Sequence, residues 1–202
     1  MTQAPDREPT DGELLTAVLS GQREKFAEIV RRYQSPLLRL AMSRLGRQQE
    51  AEDAVQQTFL NAFRWLDTYD SRYSFRTWLW TILINNCNRL HQRTARRAEN
   101  EMGDLPAIAY QADDAAADPL AAMITAERRE HVRQLLTELT PSQAEAVRLR
   151  FFGQMKFQEI ADSLGCSLPA AKARVRKGMI RLTELLSAEA IDAGPVGEHF
   201  HD

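Results

Sequence analysis

Residues 157–182 read "FQEIADSLGCSLPAAKARVRKGMIRL": an apolar-patterned helix, a short turn holding Gly165, and a second helix studded with Lys and Arg. Ile160, Ala161 and Leu164 share one face of the first helix. Ser167 stands where it can cap the second, and Val175, Ile180 and Leu182 continue the inward stripe. Two helices joined by a three- or four-residue turn make a helix-turn-helix, whose second helix lies in the major groove of duplex DNA. Lys172, Arg174, Arg176, Lys177 and Arg181 then point outward, where guanidinium forks suit guanine edges and both residue types suit phosphates. Ala170, Ala171 and Ala173 keep the leading turn small, so that its backbone can approach the groove. A solvated basic helix on a helical bundle is the other reading of this segment alone.

The same periodicity extends in both directions. Upstream, "LTPSQ" at 139–143 ends one helix, over 122–139, and starts another, over 144–152, with Thr140 as N-cap and Pro141 at the first helical position, where its missing N–H costs nothing. Near the N-terminus Phe26, Ile29, Val30, Tyr33, Leu37 and Leu40 fall at helical spacing, as do Ala51, Val55, Phe59, Ala62 and Leu66, and then Phe75, Trp78, Leu79, Ile82, Leu83 and Leu90. Asp11 is placed to cap a short first helix and Ser74 the Trp-rich one, while Gly46 and "DTYDSRYS" mark turns. Nothing alternates as a strand does. The expected fold is all-α, with four helices on each side of a linker.

Residues 98–127, with two Pro, one Gly and no basic residue, have the composition of that flexible acidic linker. The expected domains are therefore 1–97 and 128–187, followed by a short tail over 188–202. The formal net charge of −2 conceals a block pattern: +7 over 20–97, −7 over 98–127 and +5 over 128–187. Two basic blocks around an acidic one suit a polyanion-binding protein with two contact surfaces.

Other classes find no support. The longest apolar run, "WLWTILI" at 78–84, is far short of the ~20 residues that span a bilayer, and the polar N-terminus lacks the pattern of a secretory signal. No membrane insertion is expected, and the expected location is the cytoplasm. Cys87 and Cys166 have no CxxC or His/Cys spacing, and His199 and His201 beside Asp202 read as a solvated end, so no metal or cofactor is expected. No Gly-rich phosphate loop and no placed Ser/His/Asp or Cys/His set suggests an enzyme.

The stretch "LTPSQAEAVRLRFFGQMKFQEIADSLGCSLPAAKARVRKGMIRL" resembles region 4 of bacterial extracytoplasmic-function sigma factors, the part that binds the minus 35 promoter element. "LSGQREKFAEIVRRYQSPL", "AEDAVQQTFLNAFRWLDTYD" and "SFRTWLWTILINNCNRLHQRTARR" are similar, in order, to region 2 of that family. The resemblance implies minus 35 contacts at Arg150, Lys172, Arg174, Arg176 and Lys177. It implies docking on the β′ clamp helices of core RNA polymerase through Asp53, Gln56 and Gln57, with Gln57 standing where Glu is common, and a second polymerase contact at the β flap. Residues 169–174, "PAAKAR", depart from the family's usual Gly-Thr-Val-Lys-Ser-Arg, and the loss of two hydroxyls implies a shifted sequence preference.

Asparagine and arginine beside aromatics can hydrogen-bond an unstacked base and hold a single-strand backbone, which a duplex reader does not need. Asn85, Asn88, Arg89 and Arg93 form such a stripe, with Gln92 and Arg96; the resemblance implies that this helix captures the opened minus 10 element, with Asn85 near a base pocket. Arg76, Trp80 and Tyr73 join it by proximity, whereas Trp78 reads as core. The expectation is a sigma factor that takes core polymerase and promoter DNA as partners and, as in many relatives, an anti-sigma factor as restraint. A stand-alone helix-turn-helix regulator is the alternative, and it leaves the Asn/Arg helix without a purpose.

Overall fold

The computed structural model describes residues 7–100 and 119–192, with side chains over 7–94 and 127–189. Most of the linker, Arg96, and the tail histidines with Asp202 lie outside the described side chains. Helices account for all regular structure among the described residues: α1 (Asp11–Leu19), α2 (Phe26–Leu45), α3 (Gln48–Arg64), α4 (Phe75–Asn100), α5 (Pro119–Thr137), α6 (Pro141–Phe151), α7 (Phe157–Ser163) and α8 (Leu168–Asp192). They form two compact units, α1–α4 and α5–α8. Helix α5 starts inside the stretch read as linker, and α8 runs past 187 into the stretch read as tail. None of these helices is long and apolar enough to cross a membrane.

In the first unit, α2 and α4 both pack on α3 and on each other. Their stripes meet as the periodicity requires: Ile29, Leu37 and Leu40 of α2, Ala51, Ala54 and Ala62 of α3, and Leu79 and Leu83 of α4 are all fully enclosed or nearly so. Alanines on α3 let its backbone come close to both neighbours. Pro36 inside α2 removes a hydrogen bond to the Arg32 carbonyl, yet the helix continues to Leu45 because Leu37, Leu40 and Ala41 are packed on either side of the core. Gly46, at φ 71°, ends it in the left-handed conformation that glycine adopts freely.

The first helix is capped one residue earlier than expected. Thr10, not Asp11, is the N-cap: its backbone N–H donates to the Glu13 carboxylate at 2.6 Å and the Glu13 N–H donates back to Thr10 Oγ1. Asp11 instead ties α1 to α2, accepting from Arg32 at 2.5 Å and from the Tyr33 hydroxyl. Burial, aided by the Asp11 carboxylate, pushes the Tyr33 phenol well above its ordinary range.

In the second unit, α6 and α7 pack against α8. The inward stripe of α8 is Ala171, Val175 and Gly178, with Leu182 half-buried; Ile180, expected inside, is 54% exposed. The stripe runs through a glycine where the sequence suggests an isoleucine, because α6 comes too close for a side chain there. A Cβ on Gly178 would stand 2.7 Å from Val147 Cγ2.

Two outcomes follow from these contacts. Gly178→Ala gains about 1 kcal/mol of helix propensity but overpacks a stiff buried valine at about 1–3 kcal/mol. Chemical denaturation is expected to give a net loss, and Val147→Ala to cost less in the Gly178→Ala background than alone. At the other end of the chain, the Thr10 backbone N–H, and then its hydroxyl, hold the Glu13 carboxyl below its usual range. A depressed carboxylate contributes stability above its unfolded pKa of about 4.3 that is lost as pH falls through the lower folded value. Amide protection factors in α1 are therefore expected to drop at acid pH before those of α2, Glu13→Gln to remove this pH dependence, and Thr10→Ala, which keeps the backbone N–H, only to weaken it.

Candidate nucleic-acid interface

Helix α4 has a packed side and an exposed polar side. Phe75, Leu79, Ile82, Leu83, Asn86 and Cys87 are buried, while Thr81, Asn85, Asn88, Arg89, Gln92 and Arg93 are exposed. At 3.6 residues per turn, Asn85, Asn88 and Gln92 fall on one outward strip, flanked by Arg89. Asn88 is held in place: Arg44 Nη2, from the end of α2, donates to its Oδ1 at 2.7 Å, and His91 Nε2 lies 2.9 Å from the Arg44 carbonyl. This leaves the Asn88 amide group free to donate while its oxygen is engaged.

The two tryptophans differ in burial from what was expected of them. Trp80 is fully buried, packing edge-on against Tyr33 at 5.6 Å with the Arg76 guanidinium 5.0 Å from its ring centre, so it presents no face to a nucleic acid. Trp78 is only half-buried and sits two turns before Asn85 on the same side of α4. Two residues apart on a helix means nearly opposite edges of the core, so only one indole could be enclosed without burying the polar strip. Trp78 leans on Phe75 and Tyr69, whose hydroxyl donates to the Tyr73 carbonyl at 2.7 Å and so shapes the loop ahead of α4. Tyr73 itself is 59% exposed. In that loop Arg72 chelates Asp70, and these hydrogen bonds draw the Asp70 carboxyl below its ordinary range.

On α3, Asp53, Gln56 and Gln57 are exposed, and the strip continues into Leu60 at 56% exposure and Phe63. Gln57 is not free: its Nε2 donates to Asn61 Oδ1 at 2.9 Å. Asn61 and Thr58 are buried in the apolar stripe of α3, as Asn86 is in that of α4. These three residues escaped the sequence reading, although Thr58 and Asn61 stand at core phase between Ala54 and Ala62, which was the available signal.

In the second unit the turn between α7 and α8 has the expected chemistry. Gly165 takes φ +57°, Cys166 N–H donates to the Ala161 carbonyl at 3.0 Å, and the Ala170 N–H is capped by Ser167 Oγ. Lys172, Arg176 and Lys177 are exposed on α8 and Arg174 is half-buried. Ala171 is fully buried against the unit's core, so it belongs to the packed side of the leading turn and Ala170 and Ala173 lie beside it. Arg150 is partly committed: its Nη1 donates to the Met155 carbonyl at 2.9 Å and its guanidinium lies 4.9 Å from the Phe157 ring centre, bracing the loop that enters α7.

A capped helix-turn-helix with an exposed basic face, in one chain with an exposed Asn/Arg strip, is the arrangement of a nucleic-acid-binding protein. The sequence model of sigma-70 region 2 matches residues 29–97, and that of sigma-70, region 4 matches residues 129–182. The RNA polymerase sigma factor CnrH of Cupriavidus metallidurans is 30% identical over 190 residues, covering 91% of this chain and 97% of its own. RNA polymerase sigma-H factor of Pseudomonas aeruginosa is 29% identical, covering 82% of this chain and 88% of its own. Among solved structures, CnrH in complex with the cytosolic domain of CnrY superposes with a TM-score of 0.65 at 25% identity, covering 87% of this chain and 96% of that one. The sigma factor RpoE from Bartonella quintana, in complex with the anti-sigma factor NepR, gives 0.63 at 23% identity, covering 81% and 98%, and shares the fold. The chain belongs to the sigma-70 family, in its extracytoplasmic-function class, and is a sigma factor that directs transcription initiation with RNA polymerase.

The burial pattern separates core from interface by measurement. Trp80→Ala is expected to cost about 3–5 kcal/mol in chemical denaturation, as an emptied aromatic site does. Asn85→Ala is expected to stay within about 0.5 kcal/mol of the parent, as an exposed substitution does.

Proposed function

We propose that the outward strip of α3, with Asp53, Gln56 and Gln57, docks on core RNA polymerase. The strip of α4, with Asn85, Asn88, Arg89 and Arg93 and with Trp78 beside it in place of Trp80, holds the opened minus 10 strand. Arg76 lies over the Trp80 ring on the opposite side of α4 from Asn85 and is not part of this strip. Helix α8 enters the major groove at minus 35, where Lys172, Arg176 and Lys177 reach the duplex, with Arg174 and Arg150 contributing to phosphate contact. The domain of residues 1–97 thus handles polymerase and melted DNA, and that of 128–187 the duplex and the β flap, with the acidic stretch between them as tether.

The observation that carries this reading is the division of α4 into a packed side and an exposed Asn/Arg strip in a chain that also holds a duplex reader. A duplex reader alone has no use for exposed amides beside an indole, whereas an unstacked base offers its edge to the amides and its face to the ring. The protein works in the cytoplasm with the polymerase, performs no chemistry itself and needs no cofactor. Because CnrH and the Bartonella RpoE are solved with CnrY and the anti-sigma factor NepR, an anti-sigma partner is proposed here too.

Run-off transcription with core polymerase tests the reading: specific transcripts are expected only when the protein is added, and the isolated protein is expected to bind promoter duplex weakly. Tight operator binding by the protein alone, with no effect on core, overturns it. Lys172→Ala or Arg176→Ala is expected to lower promoter discrimination by ~1–3 kcal/mol for a bidentate base contact, and a uniform loss on all DNA assigns the residue to phosphate instead. Asp53→Ala is expected to weaken core binding and leave DNA contacts intact.

A further inference from the structure

Between α3 and α4 a chain of hydrogen bonds runs through the core in one donor direction. Gln57 Nε2 donates to Asn61 Oδ1 at 2.9 Å, Asn61 Nδ2 to Asn86 Oδ1 at 3.4 Å, Asn86 Nδ2 to Thr58 Oγ1 at 3.0 Å, and Thr58 Oγ1 to the Ala54 carbonyl at 2.6 Å. Thr58, Asn61 and Asn86 are 0%, 4% and 5% exposed, the most deeply enclosed polar side chains described in a unit whose core is mainly aliphatic and aromatic. The chain leaves α3 at Asn61, crosses to α4 at Asn86 and returns to α3 at Thr58.

Three enclosed polar side chains are a poor way to gain stability. Replacing a buried, hydrogen-bonded pair by apolar groups of the same shape is nearly neutral or stabilising, whereas removing one partner leaves an expensive orphan. What such a pair supplies is direction. Apolar stripes such as Leu79, Leu83 and Cys87 against Ala51, Ala54 and Ala62 tolerate small rotations of one helix about its axis, since Ala and Leu surfaces have no preferred azimuth at this scale. An amide pair meeting across the interface accepts one azimuth only.

Asn86 is the immediate neighbour of Asn85, and the two point about 100° apart around α4, one into the core and one into solvent. We propose that Asn61 and Asn86 are positioning residues: their buried amide pair, closed by Gln57 and Thr58, fixes the azimuth of α4 and thereby aims Asn85 and Trp78 at the unstacked base. This rests on the reading of α4 as the minus 10 face. It also gives Gln57 a place in the molecule apart from polymerase docking, as the outer acceptor-filling member of the chain.

The test uses holoenzyme assembled from core polymerase and the full chain, presented with a randomised pool of single-stranded DNA, the bound fraction being sequenced. Wild-type holoenzyme is expected to enrich a defined base at one position, and Asn85→Ala to identify that position by losing the preference. The double variant Asn61→Leu/Asn86→Leu removes both amides, leaving Thr58 satisfied by the Ala54 carbonyl. It is expected to melt at or above the wild-type temperature and to bind core within about twofold, yet to lose about fivefold in preference at the Asn85-dependent position, as one misaimed hydrogen bond would cause. The isosteric Thr58→Val, which disturbs the packing least, is expected to lose preference at the same position by a smaller factor. A purely structural network changes melting without changing base choice. Wild-type preference in either folded variant therefore overturns the proposal, while a wild-type holoenzyme that enriches no base overturns the minus 10 reading on which it rests.

Discussion

Helix α4 has to be packed and left open at once, and the first unit is arranged around that demand. Its buried side, Phe75 through Cys87, encloses as many side chains as α2 does, Trp80 the bulkiest of them, and both α2 and α3 lie against it. Its other side carries Asn85, Asn88 and Arg89 into solvent, with the Asn88 oxygen taken by Arg44. A helix that is apolar on about half its circumference can do both only if its azimuth is fixed. Side-chain volume sets that angle roughly, through the two tryptophans on opposite edges of the core. Hydrogen bonds refine it, through the Asn61–Asn86 pair at one level and the Arg44–Asn88 contact two residues further along.

The second unit solves a simpler problem with different means. Helix α8 needs only one packed side, and the close approach of α6 at Gly178 brings the backbones together without a bulky residue between them. The α7–α8 turn is held by Gly165, by the Cys166 to Ala161 backbone bond and by the Ser167 cap, so the angle between the two helices is set by backbone chemistry over six residues. Because that angle is local, the segment could be read as a helix-turn-helix from its own sequence. Arg150 shows the cost of compactness: a guanidinium that braces the entry to α7 has fewer donors left for a phosphate.

Where the sequence was legible, a single local rule decided the matter. Period 3.6 marks Ile29, Leu37, Leu40, Ala51, Val55, Leu79 and Leu83 as core, and all are buried. Where it misled, two local rules competed and tertiary packing chose between them. Both Thr10 and Asp11 are good N-caps; Asp11 is drawn off by Arg32 and Tyr33 of α2, which no window around position 11 reveals. Trp78 and Trp80 are equally apolar, and which is enclosed depends on where Tyr33 lies. Ile180 fits an apolar stripe by composition, but the stripe of α8 turns through Gly178 because of Val147 on another helix. Asn61 and Asn86 are further from legibility still: their residue type suggests the surface, and although Asn61 stands at core phase between Ala54 and Ala62, no rule local to either helix gives the pairing.

That last pair bears on how such a chain comes to carry two interfaces on adjacent helices. Polar residues on α3 and α4 are needed outside, where polymerase and DNA are proposed to lie, and sequence change that enriches a helix in Asn and Gln puts some of them inside. A buried amide survives only if another meets it, and once two meet across α3 and α4 the helices lose the freedom to re-register. Leu60 on the outer strip of α3 is the converse case, an apolar group left in solvent on a face otherwise made of Asp53, Gln56 and Gln57, with Phe63 part-exposed beside it against Phe26. The same two helices thus bury amides and expose hydrophobes, the reverse of what folding alone would favour. Both departures from an optimally stable bundle, one in the core and one at the surface, lie on the two helices whose outward strips are those through which the protein is proposed to act.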